Sequence, residues 1–381
     1  MVNLHGHAFQ YAMAGTAETV PEDGFDSFWT WRERMHELAQ TLEPDALQAI
    51  AERLYRQMLA RGYTTAVEFH YVHHRPSGTR YVPIEAMALA LVKAAEASGI
   101  RLTLVPVLYE RSGFFGQGPT ERQRRFVNPV EDFVRLLEAL EPYTKDSALR
   151  LGVGFHSLRA VRPEAMQEVL QYRTTRMPSV PLHIHAAEQP MEVSECEQSL
   201  GARPVAYLLD NFDLDGAWCI VHATHLDDAE VRRLAQSGAV AGLCASTEGN
   251  LGDGLFRLSD YLAHGGVFGV GSDSHVVLDP FEELRWLEYG QRCVSGRRAI
   301  VRGPTSSVGT NLWAAALEGG RRASGSARGA DRARSFGRPR RGLSRGRSAG
   351  DTARSPRLRP GRGSALGHRQ RTLDREPVLT V

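Results

Sequence analysis

The 381-residue chain has no run long and apolar enough to span a bilayer, which removes the helical membrane classes. Its start shows no basic segment followed by an apolar stretch, so no secretory leader is expected there. Cysteine is scarce. Cys196, Cys219, Cys244 and Cys293 are widely spaced with no C-x-x-C pair, which argues against a disulfide scaffold. Cys219 and Cys244 lie in apolar, strand-like runs and are read as buried free thiols, which suits a reducing, cytoplasmic compartment. What the chain does have is bulk: 42% of its residues are hydrophobic, enough for one large core or two domains.

The net charge of +2 conceals a division. Residues 321–381 hold 17 arginines against four acids, whereas residues 1–320 hold 29 basic and 40 acidic residues. Only eight of the last 61 residues are Val, Ile, Leu, Met, Phe, Trp or Tyr, too few to bury a core. The expectation is an acidic globule over 1–320 and an Arg-rich, disordered tail over 321–381.

Within 1–320, eight strand-like runs occupy residues 1–7, 64–73, 101–110, 149–157, 181–188, 217–225, 239–247 and 267–275. Most lack the polar alternation of a half-exposed strand, as expected of parallel strands buried on both faces. Helical periodicity falls between them, with Pro44 and Pro163 at helix starts and Asp227 and Asp228 placed to cap the helix at Ala229. Eight strands alternating with helices predict an α/β fold, a (β/α)8 TIM barrel.

The chemistry-bearing residues cluster at the ends of these runs. His5 and His7 are two apart on a strand, so both side chains face the same way and can reach one metal ion. His156, His183, His185, His222, His225, Asp273 and His275 follow at later strand ends. Imidazoles plus a carboxylate make a mixed N/O site suited to Zn²⁺. His183 and His185 share a facing, so spacing alone does not choose between them. His185 is preferred because Glu188, three residues on, would then sit beside a metal-activated water. The tandem His73–His74 reads as a loop feature.

The barrel and these motifs resemble the amidohydrolase superfamily. Narrower markers are Asn3–Gln10, Phe28–Glu33, His156–Val161, His183–Gln189 and Asn250–Gly254, and the likeness runs from residue 1 to about 320. It resembles the branch that acts on N-formimidoyl-L-glutamate, giving N-formyl-L-glutamate and ammonia in histidine degradation. The resemblance implies that His5, His7, His185 and Asp273 hold one Zn²⁺. It implies that Glu188, His222 and Asp273 handle protons. It also implies that Gln10, Arg32, Tyr71, His156 and Arg159 bind a dicarboxylate. Arginine suits that task because its planar fork binds a carboxylate bidentately. A superfamily deaminase acting on a ring substrate, and an inactive fragment, are the alternatives. The expected partner is a small molecule, with no nucleic acid and no membrane, and a homodimer is compatible with the reading.

The chain departs from the family pattern at both ends. Only four residues precede His5, and the likeness stops near Gly319–Gly320. The simplest account is a start at an internal methionine and a change of reading frame near residue 320, with the family's small β-sandwich missing. A nucleic-acid-binding basic tail is the competing account.

Overall fold

The computed structural model describes residues 1–18, 26–145 and 148–326. The chain divides into two units, Met1–Arg332 and Ala333–Val381. The disordered tail expected from the composition lies, from residue 327 on, outside the described residues. The described body runs slightly past the expected boundary at 320, because a helix over Val308–Ala323 crosses it.

The strands are β1 (Val2–Asn3), β2 (Thr65–His70), β3 (Arg101–Leu108), β4 (Leu149–Leu151), β5 (Val153–Phe155), β6 (Leu182–Ala186), β7 (Trp218–His222), β8 (Val240–Leu243) and β9 (Val267–Val270). All pairings are parallel, in the order β1-β2-β3-β5-β6-β7-β8-β9, with β4 also on β3. β4 and β5 are two halves of one barrel strand separated by Gly152, so the eight expected runs are the eight staves of a (β/α)8 barrel. Every residue of β2, β6, β7 and β8 is buried, as two-sided burial of parallel strands requires.

The seam that closes the barrel joins β9 to β1. Leu4 N donates to Val270 O at 3.0 Å, Asp273 N to His5 O at 3.1 Å and His7 N to Asp273 O at 3.1 Å. Thus the backbone bonds that shut the barrel also hold the H-x-H segment against the loop carrying Asp273.

The helix Val308–Ala323 lies across β9, β8 and β1. Its close approach depends on glycine: a Cβ on Gly319 would lie 1.9 Å from Phe268 O. Its C-terminal end reaches the floor of the barrel. There Thr103 Oγ1 donates to Ser324 O at 2.9 Å, and His183 Nε2 donates to Ala323 O at 2.8 Å. Helix starts fall where the local signals placed them. Pro44 and Pro163 open Pro44–Ala60 and Pro163–Arg176, and Asp227 accepts from Glu230 N to cap Asp228–Ser237. Among the described residues, no helix is long and apolar enough to cross a membrane.

Candidate functional site

At the C-terminal mouth of the barrel, the ends of β1, β6 and β9 bring His5, His7, His185 and Asp273 together. The Nε2 atoms of His5 and His185 lie 3.1 Å apart. Asp273 Oδ1 is 3.4 Å from His5 Nε2 and 3.2 Å from His7 Nε2. All four side chains are buried. His7 Nδ1 donates to Phe69 O at 2.8 Å, which turns Nε2 toward the cluster. Two facing imidazole nitrogens beside a carboxylate form a donor set suited to a cation such as Zn²⁺. Burial pushes His5 down to about 3. Burial acts to raise Asp273, but hydrogen bonds from His5 and His7 outweigh it and hold the carboxylate well below its ordinary range.

Gly6, between the two histidines, is required by space. A Cβ there would lie 2.5 Å from His275 Cε1. His275 is itself anchored, its Nδ1 2.8 Å from Ser272 Oγ. Thus His275 buttresses the H-x-H segment from behind.

β7 supplies His222 next to this cluster. Its Nε2 is 3.5 Å from Glu188 Oε1, and its Nδ1 is 3.3 Å from Glu248 Oε1. Burial disfavours charge on His222, but Glu188, Glu248 and Asp273 overcome it and raise the imidazole to about 10. Burial raises Glu188, against the pull of His222. Backbone strain concentrates at these strand ends: Ala187, His222, Ala223, Asp273 and His275 all have φ between +45° and +67°. Non-glycine residues adopt that region only when the surroundings impose it.

The same cleft carries the remaining expected side chains. Gln10, Arg32, Tyr71, His156 and Arg159 line it together with His7, His185, Glu188, His222 and Asp273. Gln10 Nε2 donates to Tyr71 Oη at 3.1 Å, and Gln10 Oε1 has no partner. Arg159 is buried, with Nη1 unpartnered. Neither Arg159 nor Arg32 forms an ion pair with a carboxylate among the described residues. Burial, then the neighbouring charge of Arg159, lowers Arg32. Burial, then Arg159 and Arg32, also holds His156 well below its ordinary value. One side of the cleft is therefore cationic, with neither arginine ion-paired to a carboxylate among the described residues.

The structure also separates the two candidates on β6. His185 joins the cluster; His183 faces the floor. The tandem histidines belong to a loop, but a buried one: His73 Nε2 donates to Val107 O at 2.9 Å, and His74 Nε2 lies 2.8 Å from Asn128 Oδ1. His225 lies in the loop after β7, its Nε2 unpartnered. Cys196, Cys219 and Cys244 are buried free thiols and Cys293 is an exposed one. The sequence pattern gave no role to Glu248, which also accepts from Cys244 N at 2.9 Å, or to Asp253 of the Asn250–Gly254 marker, which accepts from Gln189 Nε2. Burial and Glu188 raise Asp253 to about 9. The available signal was acidic residues just beyond a strand end, Glu248 and Asp253 after β8.

A family model for the amidohydrolase family matches residues 1–302. The chain is 50% identical over 326 residues to formimidoylglutamate deiminase of Pseudomonas aeruginosa, covering 85% of this chain and 71% of that protein. It is 27% identical to a 5-methylthioadenosine/S-adenosylhomocysteine deaminase of Haloarcula marismortui, of which it spans 60%. Among solved structures it resembles an amidohydrolase from Brucella melitensis, with TM-score 0.81 and 46% identity over 86% of this chain and 72% of that one. An adenosine deaminase from Xanthomonas campestris with bound zinc shares the fold, at TM-score 0.67 and 20% identity over 86% of this chain and 66% of that one.

Proposed function

The chain belongs to the amidohydrolase family, and from that premise we propose that it hydrolyses N-formimidoyl-L-glutamate to N-formyl-L-glutamate and ammonia, a step in histidine degradation. The observation that carries the reading is a single cleft with two unlike ends. At one end His5, His7, His185 and Asp273 converge; at the other, Arg32 and Arg159 form no ion pair with a carboxylate among the described residues. A linear dicarboxylate with a formimidoyl group fits that polarity. A neutral purine ring does not use the arginines.

In this reading His5, His7, His185 and Asp273 hold one Zn²⁺. When bound, the ion supplies Lewis-acid activation, which lowers the pKa of water to about 7. Asp273 accepts a proton from the attacking water. Glu188, kept receptive to protons by burial, carries a proton to the departing ammonia. His222, charged between Glu188 and Glu248, steadies the negative charge that develops as the formimidoyl carbon is attacked. Arg32 and Arg159 bind the substrate carboxylates, and Gln10, Tyr71 and His156 complete the hydrogen bonds. The cytoplasm, with its reducing conditions, is the proposed location of a protein with three buried free thiols.

The test is ammonia release by purified, zinc-loaded protein. N-formimidoyl-L-glutamate is expected to turn over, and 5-methylthioadenosine is expected to remain unchanged. Turnover of the nucleoside with no turnover of the dicarboxylate overturns the assignment.

A further inference from the structure

The proposed reaction gives the end of β8 no part. β8 ends at Leu243, and the next residue, Cys244, sits between His222 at the end of β7 and Asp273 beyond β9. A ring nitrogen of His222, Cys244 Sγ and a carboxylate oxygen of Asp273 all lie within 4.8 Å of one another, and all three residues are buried. The group adjoins the His5, His7 and His185 cluster through Asp273, whose Oδ1 is 3.2 Å from His7 Nε2. Two features make it more than a neighbouring thiol. Glu248 Oε1 faces His222 Nδ1 at 3.3 Å and accepts from Cys244 N at 2.9 Å, so one carboxylate fixes both residues. Glu188 Oε1, 3.5 Å from His222 Nε2, adds further negative charge.

We propose that His222, Cys244 and Asp273 form a second, weaker site for a thiophilic divalent cation, whose occupation stops turnover. Sulfur, imidazole and carboxylate together favour Cd²⁺ or excess Zn²⁺ over Mg²⁺ or Ca²⁺. Binding there releases the Cys244 thiol proton and one ring proton of His222 to solvent, and forms a metal–sulfur and a metal–nitrogen bond. Inhibition follows because the same ion occupies His222 and Asp273, and this consequence rests on the proton-handling roles proposed above.

The experiment titrates cadmium into protein already holding one zinc per chain. Three quantities are read: the ultraviolet thiolate-to-cadmium absorption, the retained zinc and the rate of ammonia release. One further cadmium is expected to bind with a thiolate band, zinc retained and activity lost. Cys244→Ser and Cys244→Ala, each first shown to carry its zinc, are expected to lose the band. Their half-inhibiting cadmium concentration, measured against each variant's own rate, should rise by about tenfold or more, since loss of even an outer-sphere partner costs that much affinity. Cys293→Ser, which removes the exposed thiol, should keep both effects. A band that persists without Cys244, a band that disappears with Cys293, or zinc released in step with cadmium uptake overturns the proposal. The band is read whether or not the preparation turns over substrate, so failure of the proposed reaction is distinguishable from failure of this site.

Discussion

The mouth and the floor of the barrel are built from the same strands and obey opposite rules. On β6 the contrast is two residues apart. His183 at the floor gives its Nε2 proton to a carbonyl of the helix Val308–Ala323, and burial pushes it down to about 4. His185 at the mouth faces another imidazole nitrogen across 3.1 Å. The floor turns to backbone: Thr103 Oγ1 and His183 Nε2 both end on carbonyls, while His183 Nδ1 has no partner among the described residues. The mouth gathers nitrogen and oxygen donors, leaves His5 Nδ1, Gln10 Oε1 and Arg159 Nη1 without partners among the described residues, and holds the cluster with strained backbone at Ala187, His222, Ala223, Asp273 and His275. Buried polar groups are tolerable when paired, as Thr103 Oγ1 and His183 Nε2 are. Left unpaired they cost stability, and a protein keeps that arrangement where a ligand completes it.

The sharpest way to break the comparison is His185→Gln. Metal content measured on folded protein is expected to fall well below one ion per chain, and ammonia release with it; a variant that keeps its ion and its rate removes His185 from the mouth's chemistry. Glu188→Gln comes next. It should keep the metal while kcat falls by about 10²–10⁴-fold, the usual worth of a positioned proton carrier. Near-full turnover would make Glu188 a spectator. Arg159→Met should act on a different parameter, raising KM for the dicarboxylate and lowering kcat/KM by roughly 10–150-fold, the equivalent of about 1.5–3 kcal/mol for a charge-assisted bond. An unchanged KM would place the carboxylate elsewhere and favour a ring substrate. The smallest effect belongs to the floor. His183→Gln should cost about 1 kcal/mol of stability, read by denaturant unfolding, with metal content and kcat unaltered. Loss of the ion in that variant would erase the distinction between the two ends.

Much of this site was legible one residue at a time. His5 and His7 had to face together because strands alternate, and Glu188 had to follow His185 closely because only two residues intervene. Helix starts at Pro44, Pro163 and Asp228 were legible for the same reason: capping and proline geometry are local. Arg32 was harder. It stands on Phe28–Thr41, and only the folding of that helix over the mouth puts it in the cleft with Arg159. The roles of Glu248 and Cys244 were not legible, because each is defined by its distance to His222, on a different strand.

The sequence alone therefore determined the eight staves, their order and the residue types at their ends, since strand periodicity and two-sided burial act over a few neighbours. Tertiary structure decided the rest. It sent His183 to a carbonyl 140 residues away and His185 to His5. It tied Asp273 to the H-x-H segment through the closing seam. It laid the helix Val308–Ala323 against β9 at a distance only glycine permits. Those outcomes depend on how a closed, staggered sheet places distant residues in layers, a constraint that exists only once the barrel has shut.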